Sequence, residues 1–184
     1  MIPAMTRSEH DQSVRYPREI AAAVTLRAAC AALTGGPGDR PLRSSESVAV
    51  LTACTALATR FAIIAFLADG GADPRSVRPF EPFHDETPPA LLGRGPAPDP
   101  DRIRTAGERA ADAWRSWRAG QDPDGWAAGA AGALALASWC SWAVGSAERA
   151  RIRAVYALET VPDEPLAGLV LRTVRAGNAP VWER

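Results

Sequence analysis

Lysine is absent from this chain, asparagine occurs once (Asn178), and histidine twice, at His10 and His84. The 21 basic residues are therefore all arginine, and 21 acidic residues bring the formal net charge to zero. A neutral chain carries no global field that would draw it to nucleic acid or to a membrane surface. The two histidines lie far apart and there is no Cys-x-x-Cys spacing, so no zinc-ligand pattern and no nucleophile beside a base can be read. No catalytic, cofactor-binding or metal-ligating residue is assigned, and no cofactor is implied. The three cysteines, Cys30, Cys54 and Cys140, are odd in number and each sits inside an apolar helical run. They read as free, buried thiols of a reducing cytoplasm. The first residues, MIPAMTRSEHDQS, are polar and lack the apolar core of a secretory signal. Arginine without lysine, in a chain rich in Ala, Gly and Pro, matches the codon usage of a GC-rich, actinobacterial genome.

The chain is organised around residues 126–143, WAAGAAGALALASWCSWA, which hold no charge, no proline and no β-branched residue. At 18 residues this stretch approaches the length that spans a bilayer. It is mostly Ala and Gly rather than Leu and Ile, and its small residues Gly125, Gly129 and Gly132 suit close helix packing. A second apolar run, residues 48–68, contains Arg60 and several Thr, which are expensive at a bilayer centre. Both runs are expected to be core helices of a water-soluble, all-α bundle of about five to six helices.

Residues 1–16 read as a loose N-terminus and 17–184 as one helical domain. Pro17 suits a first helical turn, after which Ile20, Val24, Cys30 or Ala31 and Leu33 recur at helical spacing. Gly35, Gly36, Pro37 and Gly38 stop that helix. Ser44 and Ser45 offer a cap for a second, central helix through 48–68. Its one interior charge, Arg60, has a stem long enough to snorkel to the surface, the reading taken for it. The alternative is a buried pair with a carboxylate that fixes helix register.

Residues 69–101 are dense in Pro and Gly and lose all periodicity, as a linker, a loop wrapped over the helices or a partner-binding segment would. Phe80, Phe83, Leu91 and Leu92 suggest that the segment packs. Asp99-Pro100 starts a helix with Ile103, Ala106, Ala110, Trp114 and Trp117 on one face, and Gly120 ends it. Asp112 and Arg115 form an ordinary surface pair of small worth. Asp122-Pro123 opens the apolar helix through Leu134, Leu136, Trp139 and Trp142, which stops at Gly145. Ser146 caps the next helix, with Ala147, Ala150, Ala154, Val155 and Leu158 inward, and Pro162 ends it. Asp163 caps a closing helix with Leu166, Leu169, Val170 and Val174 inward, stopped by Gly177.

The spacing Gly145, Ala150, Ala157, Pro162 resembles the second half of a tetratricopeptide repeat. Gly permits the turn, small Ala lets the helices approach, and Pro breaks the second helix. Only one such unit is present, so a stacked solenoid is not expected. Residues 134–180, LALASWCSWAVGSAERARIRAVYALETVPDEPLAGLVLRTVRAGNAP, also resemble the C-terminal part of the actinobacterial domain of unknown function 4192 family. The shared features are an apolar helix ending in Ala-Trp, a Gly turn, an Ala-rich helix, a Pro break and a Leu-rich closing helix. That resemblance implies a helical fold and hands over no catalytic residue.

The functional expectation is a non-enzymatic, cytoplasmic helical interaction module or accessory subunit with a protein partner or a second copy of itself, and no membrane. Exposed aromatic and arginine side chains are what such a surface uses. The candidates are Trp114, Trp117, Trp126, Arg149, Arg153, Arg172 and Arg175. One alternative is a nucleic-acid-associated protein using the same four arginines. Another is an enzyme with a site in the 80–86 loop, where Glu81, His84, Asp85 and Glu86 lie. If residues 126–143 are the core, Leu134→Arg and Trp139→Arg each bury an unpaired charge and unfold the C-terminal half. Circular-dichroism melting checks this; wild-type-like melting of both variants would contradict the core assignment.

Overall fold

The computed structural model describes residues 7–36, 40–120 and 125–183. These form α1 (Arg7–Thr34), α2 (Ser44–Ala53), α3 (Leu57–Ala68), α4 (Pro100–Ala119), α5 (Ala127–Ala143), α6 (Ala147–Thr160) and α7 (Pro165–Arg175), with no strand among them. The fold is all-α, as the periodicities require, with seven helices among the described residues rather than five or six.

Helix α5 is the axis. Every residue from 129 to 143 is buried, and α2, α3, α4, α6 and α7 all pack on it. An all-round apolar helix can only sit where neighbours cover every side. Its small residues set how closely they come. A Cβ on Gly129 would collide with the Leu51 carbonyl of α2, and one on Gly132 with the Cys54 carbonyl. On the opposite partner, a Cβ at Gly107 of α4 would stand 2.7 Å from Cys140 Cβ. Among the described residues no single helix is long and apolar enough to cross a membrane; α2 and α3 pass together by composition but meet at 112°.

That bend corrects the expectation of one helix over 48–68. The chain turns at Thr55 and Ala56, with no glycine or proline there. The Thr59 hydroxyl takes up the Ala53 carbonyl freed by the turn and also lies 2.8 Å from Ala56 O, the carbonyl that opens α3 by accepting from Arg60 N. The turn drives Arg60 inward, where it pairs with Glu164 of α7 at about 4% exposure for each residue. Arg60 therefore does not snorkel. Glu164 is also the N-cap of α7, accepting from Ala167 N at 2.5 Å. Asp163 does not cap, because Pro165 occupies the first helical position and leaves the cap to the residue just before it.

The start of α1 is likewise corrected. The helix runs through Pro17 from Arg7 rather than starting at the proline, and residues 1–6 of the expected loose N-terminus lie outside the described residues. The proline ring removes one N–H, and the helix gives up that single bond. The buried face of α1 carries Ala22, Leu26, Ala29, Cys30 and Leu33, whereas Ile20 and Val24 are 52% and 77% exposed. The inward stripe is the one rich in small residues, which let α1 lie against α2 and α4. Its C-terminal end is held by a fully buried arginine, Arg109 of α4, donating to Ala32 O (2.9 Å), Gly35 O (2.5 Å) and Gly36 O (3.4 Å). Terminal carbonyls left without intrahelical partners are thereby satisfied inside the core.

In α6 the inward residues are Ala150, Ala154 and Ala157; Val155 and Leu158 are half-buried and Ala147 is exposed. Ser146 stands at the N-cap position without a side-chain capping bond. The expected start at Asp122-Pro123 lies outside the described residues. Glu164→Ala would strand Arg60 in the core and destabilise the fold by about 4 kcal/mol, as one-sided removal of a buried pair does. The double variant Arg60→Met/Glu164→Gln keeps the cap acceptor and is expected to recover more than half of that loss. Urea unfolding of the wild type and both variants measures the recovery; a double variant no more stable than Glu164→Ala would contradict a shared buried pair.

Candidate functional site

Residues 69–99 form a strap that leaves α3, runs beside it and reaches the C-terminal end of α5. Two short 3-10 turns, Pro74–Ser76 and Pro89–Leu92, are its regular pieces. Backbone bonds anchor it: Phe80 N donates to Ala58 O (3.2 Å), and Gly93 O accepts from Val181 N (2.8 Å). Trp139 Nε1 donates to Ala90 O at 3.3 Å and Arg27 Nε to Val77 O at 3.4 Å. Gly93 has φ +68°, and a side chain there would strike Trp142 and Pro180. The strap needs a glycine at that point on both counts.

Between strap and helix lies a groove of about 810 Å³. Its floor is the face of α3 carrying Phe61, Ala62, Ala65, Phe66 and Ala68; Val77, Phe80, Pro88, Pro89 and Pro96 form the facing wall. Phe61 and Phe80 meet edge to face with centroids 5.4 Å apart, closing one end. The Arg102 guanidinium lies 4.3 Å from the Phe66 ring centre and donates to Phe66 O at 3.1 Å. A mostly apolar concavity of this size with a few charged groups at its edge is the usual form of a recognition site.

The edge is charged. Arg78 forms a two-pronged bond to Asp85 (2.8 and 2.5 Å) and lies 3.5 Å from Glu81. Asp85 also accepts from Glu81 N at 2.8 Å. The hydrogen bonds from Arg78 hold the Asp85 carboxyl below its ordinary range. Asp69, Glu86 and Arg94 stand exposed along the same edge. The turn so locked displays Phe83 to water at 96% exposure. The expectation that Phe83 packs is thus corrected, and of Leu91 and Leu92 only Leu91 is buried.

The seven residues read from the sequence as a partner surface are not gathered into one place. Trp114 and Trp117 are half-buried against the core. Trp114 donates to Thr160 Oγ1 (3.3 Å), stacks obliquely on Tyr156 at 5.9 Å and carries Arg118 over its face at 5.1 Å. Trp126, 38% exposed, borders a recess with Pro17, Ala21 and Thr55. Arg149 and Arg153 both bind Glu108, at 3.3 and 2.6 Å, and Arg153 also donates to Ser141 Oγ and Ala137 O. Arg172 and Arg175 are exposed in the last turn of α7, facing the negative end of that helix dipole. Arg115 pairs with Asp112 as expected.

In the 80–86 loop, Asp85 is committed to Arg78 and to the turn, while His84 is exposed. Among the described residues no three His, Cys, Asp or Glu side chains come together as metal ligands. Cys30, Cys54 and Cys140 are buried, and burial pushes each thiol up to about 12. A thiol so protonated is no nucleophile. The groove is not legible in the sequence, where residues 48–68 read as one apolar core helix; the signal for it is Phe80 in a Pro-rich segment that packs on that helix.

Comparison of the chain with protein-family models, with curated proteins and with solved structures finds no match. The thiols supply a pH prediction. Their pKa is higher in the folded chain than when exposed, so the neutral thiols favour folding below the unfolded value of about 9, and that contribution is lost as pH rises toward about 12. Ellman's reagent at pH 8 is expected to modify none of the three in native protein and all three in guanidinium. Rapid native labelling would refute their burial.

Proposed function

We propose that this protein is a non-enzymatic helical interaction module or accessory subunit, and that the groove between α3 and the strap receives a segment of its partner. The observation that carries this reading is a recognition-sized apolar groove whose wall is tied down by backbone and tryptophan hydrogen bonds, beside a rigidly displayed Phe83. A wall already in place loses little freedom on binding, which is how preformed sites gain affinity. Free buried thiols support a reducing, cytoplasmic setting. The helix-turn-helix of α5 to α7 is consistent with kinship to the domain of unknown function 4192 family, which we retain as part of this proposal.

The nucleic-acid reading has less support, since Arg149 and Arg153 are already matched by Glu108. The enzymatic reading has less support because the fixed carboxylate of the 80–86 loop serves to lock its turn. Ala65 lies exposed on the groove floor, so Ala65→Gln places a long polar side chain there without touching the core. Affinity capture from a native lysate is expected to recover a defined protein with the wild-type chain and at least ten-fold less with Ala65→Gln. Equal recovery by both chains would exclude the groove as the docking surface.

A further inference from the structure

We propose that residues 72–87 are a lid: a braced arm of the strap that swings away from α1 and α3 as a unit while the rest of the fold stays closed. The lid is a property of the chain by itself, independent of what the groove receives. Its ground is a contrast in how the strap is held along its length. From residue 88 onward the strap is built into the bundle. Pro88, Ala90, Leu91 and Gly93 are buried, Trp139 Nε1 donates to Ala90 O, and Val181 N donates to Gly93 O. Before that point no residue from 69 to 87 is buried. Ala72, Val77 and Phe80 lie half-buried against the bundle, and the short turn Pro74–Ser76 lies beside α1. Among the described residues two hydrogen bonds tie 72–87 to the helices: Phe80 N to Ala58 O (3.2 Å), and Arg27 Nε, exposed, to Val77 O (3.4 Å). A segment with few buried apolar groups and few bonds to the core opens at a fraction of the free energy of global unfolding.

Inside the arm the bonding is dense. Arg75 N donates to Asp73 Oδ1 (2.8 Å) and Ser76 N to Asp73 O (3.0 Å). Arg78 grips Asp85, Glu81 N donates to Asp85 Oδ2 (2.8 Å), and Asp85 N donates back to Glu81 O (2.8 Å). These bonds begin and end within the arm, so none breaks when it leaves the helices. The pivot is Gly70–Gly71, where a Cβ at Gly70 would meet nothing within 4 Å and glycine turns at little steric cost. At the other end, buried Pro88 fixes the chain. The arm covers the start of α3, where Phe80 rests edge to face on Phe61 and donates to Ala58 O. Swinging out breaks that ring contact and the two bonds, uncovers Phe61, and lengthens the groove toward the start of α3. The wall of the groove thus has a fixed half, Pro88 to Pro96, and a movable half that carries Val77 and Phe80.

Amide hydrogen exchange of the nitrogen-15-labelled full chain, read by NMR, tests the lid. In the wild type the Phe80 amide is expected to show protection at least a hundred-fold below that of Leu136 and Trp139 in α5, because lid opening releases it and only global unfolding releases them. Two variants separate attachment from brace. Phe80→Ala is expected to cut the protection of the residue-80 amide about ten-fold and to leave that of the Asp85 amide within two-fold. Asp85→Ala removes the acceptor of Glu81 N and is expected to expose that amide while leaving Phe80 within two-fold. Neither side chain is buried, so both variants are expected to fold, checked by melting. Phe80 protection equal to that of α5 would mean that the arm leaves only with the whole fold, and would overturn the lid. An unchanged residue-80 amide in Phe80→Ala would remove the ring contact as the latch and overturn the proposal likewise. Loss of Asp85 protection in Phe80→Ala, or of Phe80 protection in Asp85→Ala, would mean that the arm unravels rather than swings, and would overturn the braced unit. Capture that depends on Ala65 is a separate readout, so the lid and the docking reading fail independently.

Discussion

Helix α5 can be central only because its side chains are small where α2 crosses it. At Gly129 and Gly132 the carbonyl groups of Leu51 and Cys54 come so near that a methyl group would not fit. The contact brings the C-terminal end of α2 onto the α5 backbone, and the chain must then leave α2 abruptly. It turns at Thr55 and Ala56, and the Ala53 carbonyl freed by the turn is met by the Thr59 hydroxyl. Arg60, one residue on, is thereby carried into the interior. Glu164 answers it from α7, so the same carboxylate that begins the closing helix also neutralises the charge that the turn has buried. Removing the close approach would remove the reason for the turn, and with it the reason for a buried ion pair.

Much of this was open to reading in the sequence, and the failures have physical causes. The limits of α4 are where the sequence places them: Asp99 caps it by accepting from Asp101 N and Arg102 N, and Gly120 follows its last turn, whereas α2 takes Arg43 rather than Ser44 or Ser45 at its N-cap. Residues 129–143 are uncharged because α5 is covered on every side there. The break between α2 and α3 has no local mark, since it is imposed by packing against another helix and sealed by a threonine that also reads as ordinary helix. The face of α1 was misjudged because Ile20 and Val24 outweigh alanine on any hydropathy count, while close packing favours Ala22 and Ala29. Glu164 was within reach: proline at the first helical position assigns the cap to the residue before it.

The groove shows a different limit. Phe61 and Phe66 lie on a helix that is apolar over most of its surface, and nothing in a one-dimensional pattern tells a buried aromatic from one that lines a cavity. What separates them is the strap, whose path is set by contacts remote in sequence. Arg78 and Asp85 are seven residues apart, but their pairing matters because Asp85 also accepts from the Glu81 amide and fixes the turn. Phe83 is left in water by that turn, not by any lack of hydrophobicity of its own.

Tryptophan usage bears on where recognition sits. Three of the six tryptophans close irregular segments onto the bundle through their indole N–H groups: Trp139 to Ala90 O in the strap, Trp142 to Asn178 O (2.8 Å), and Trp182 back to Ala143 O (2.8 Å). A buried indole needs a partner for its single donor, and a loop carbonyl without a ladder partner needs a donor. Together the three bonds fasten the strap and the C-terminal segment to the same end of α5. Trp114 is spent similarly on Thr160. Side chains bound this way are not at liberty to anchor a partner, so a count of tryptophans overstates the recognition surface. The most exposed aromatic group is a phenylalanine, Phe83, which carries no polar atom to satisfy and can stand at a turn without leaving a donor unpaired. The tryptophans hold the wall, and the phenylalanines are what it presents.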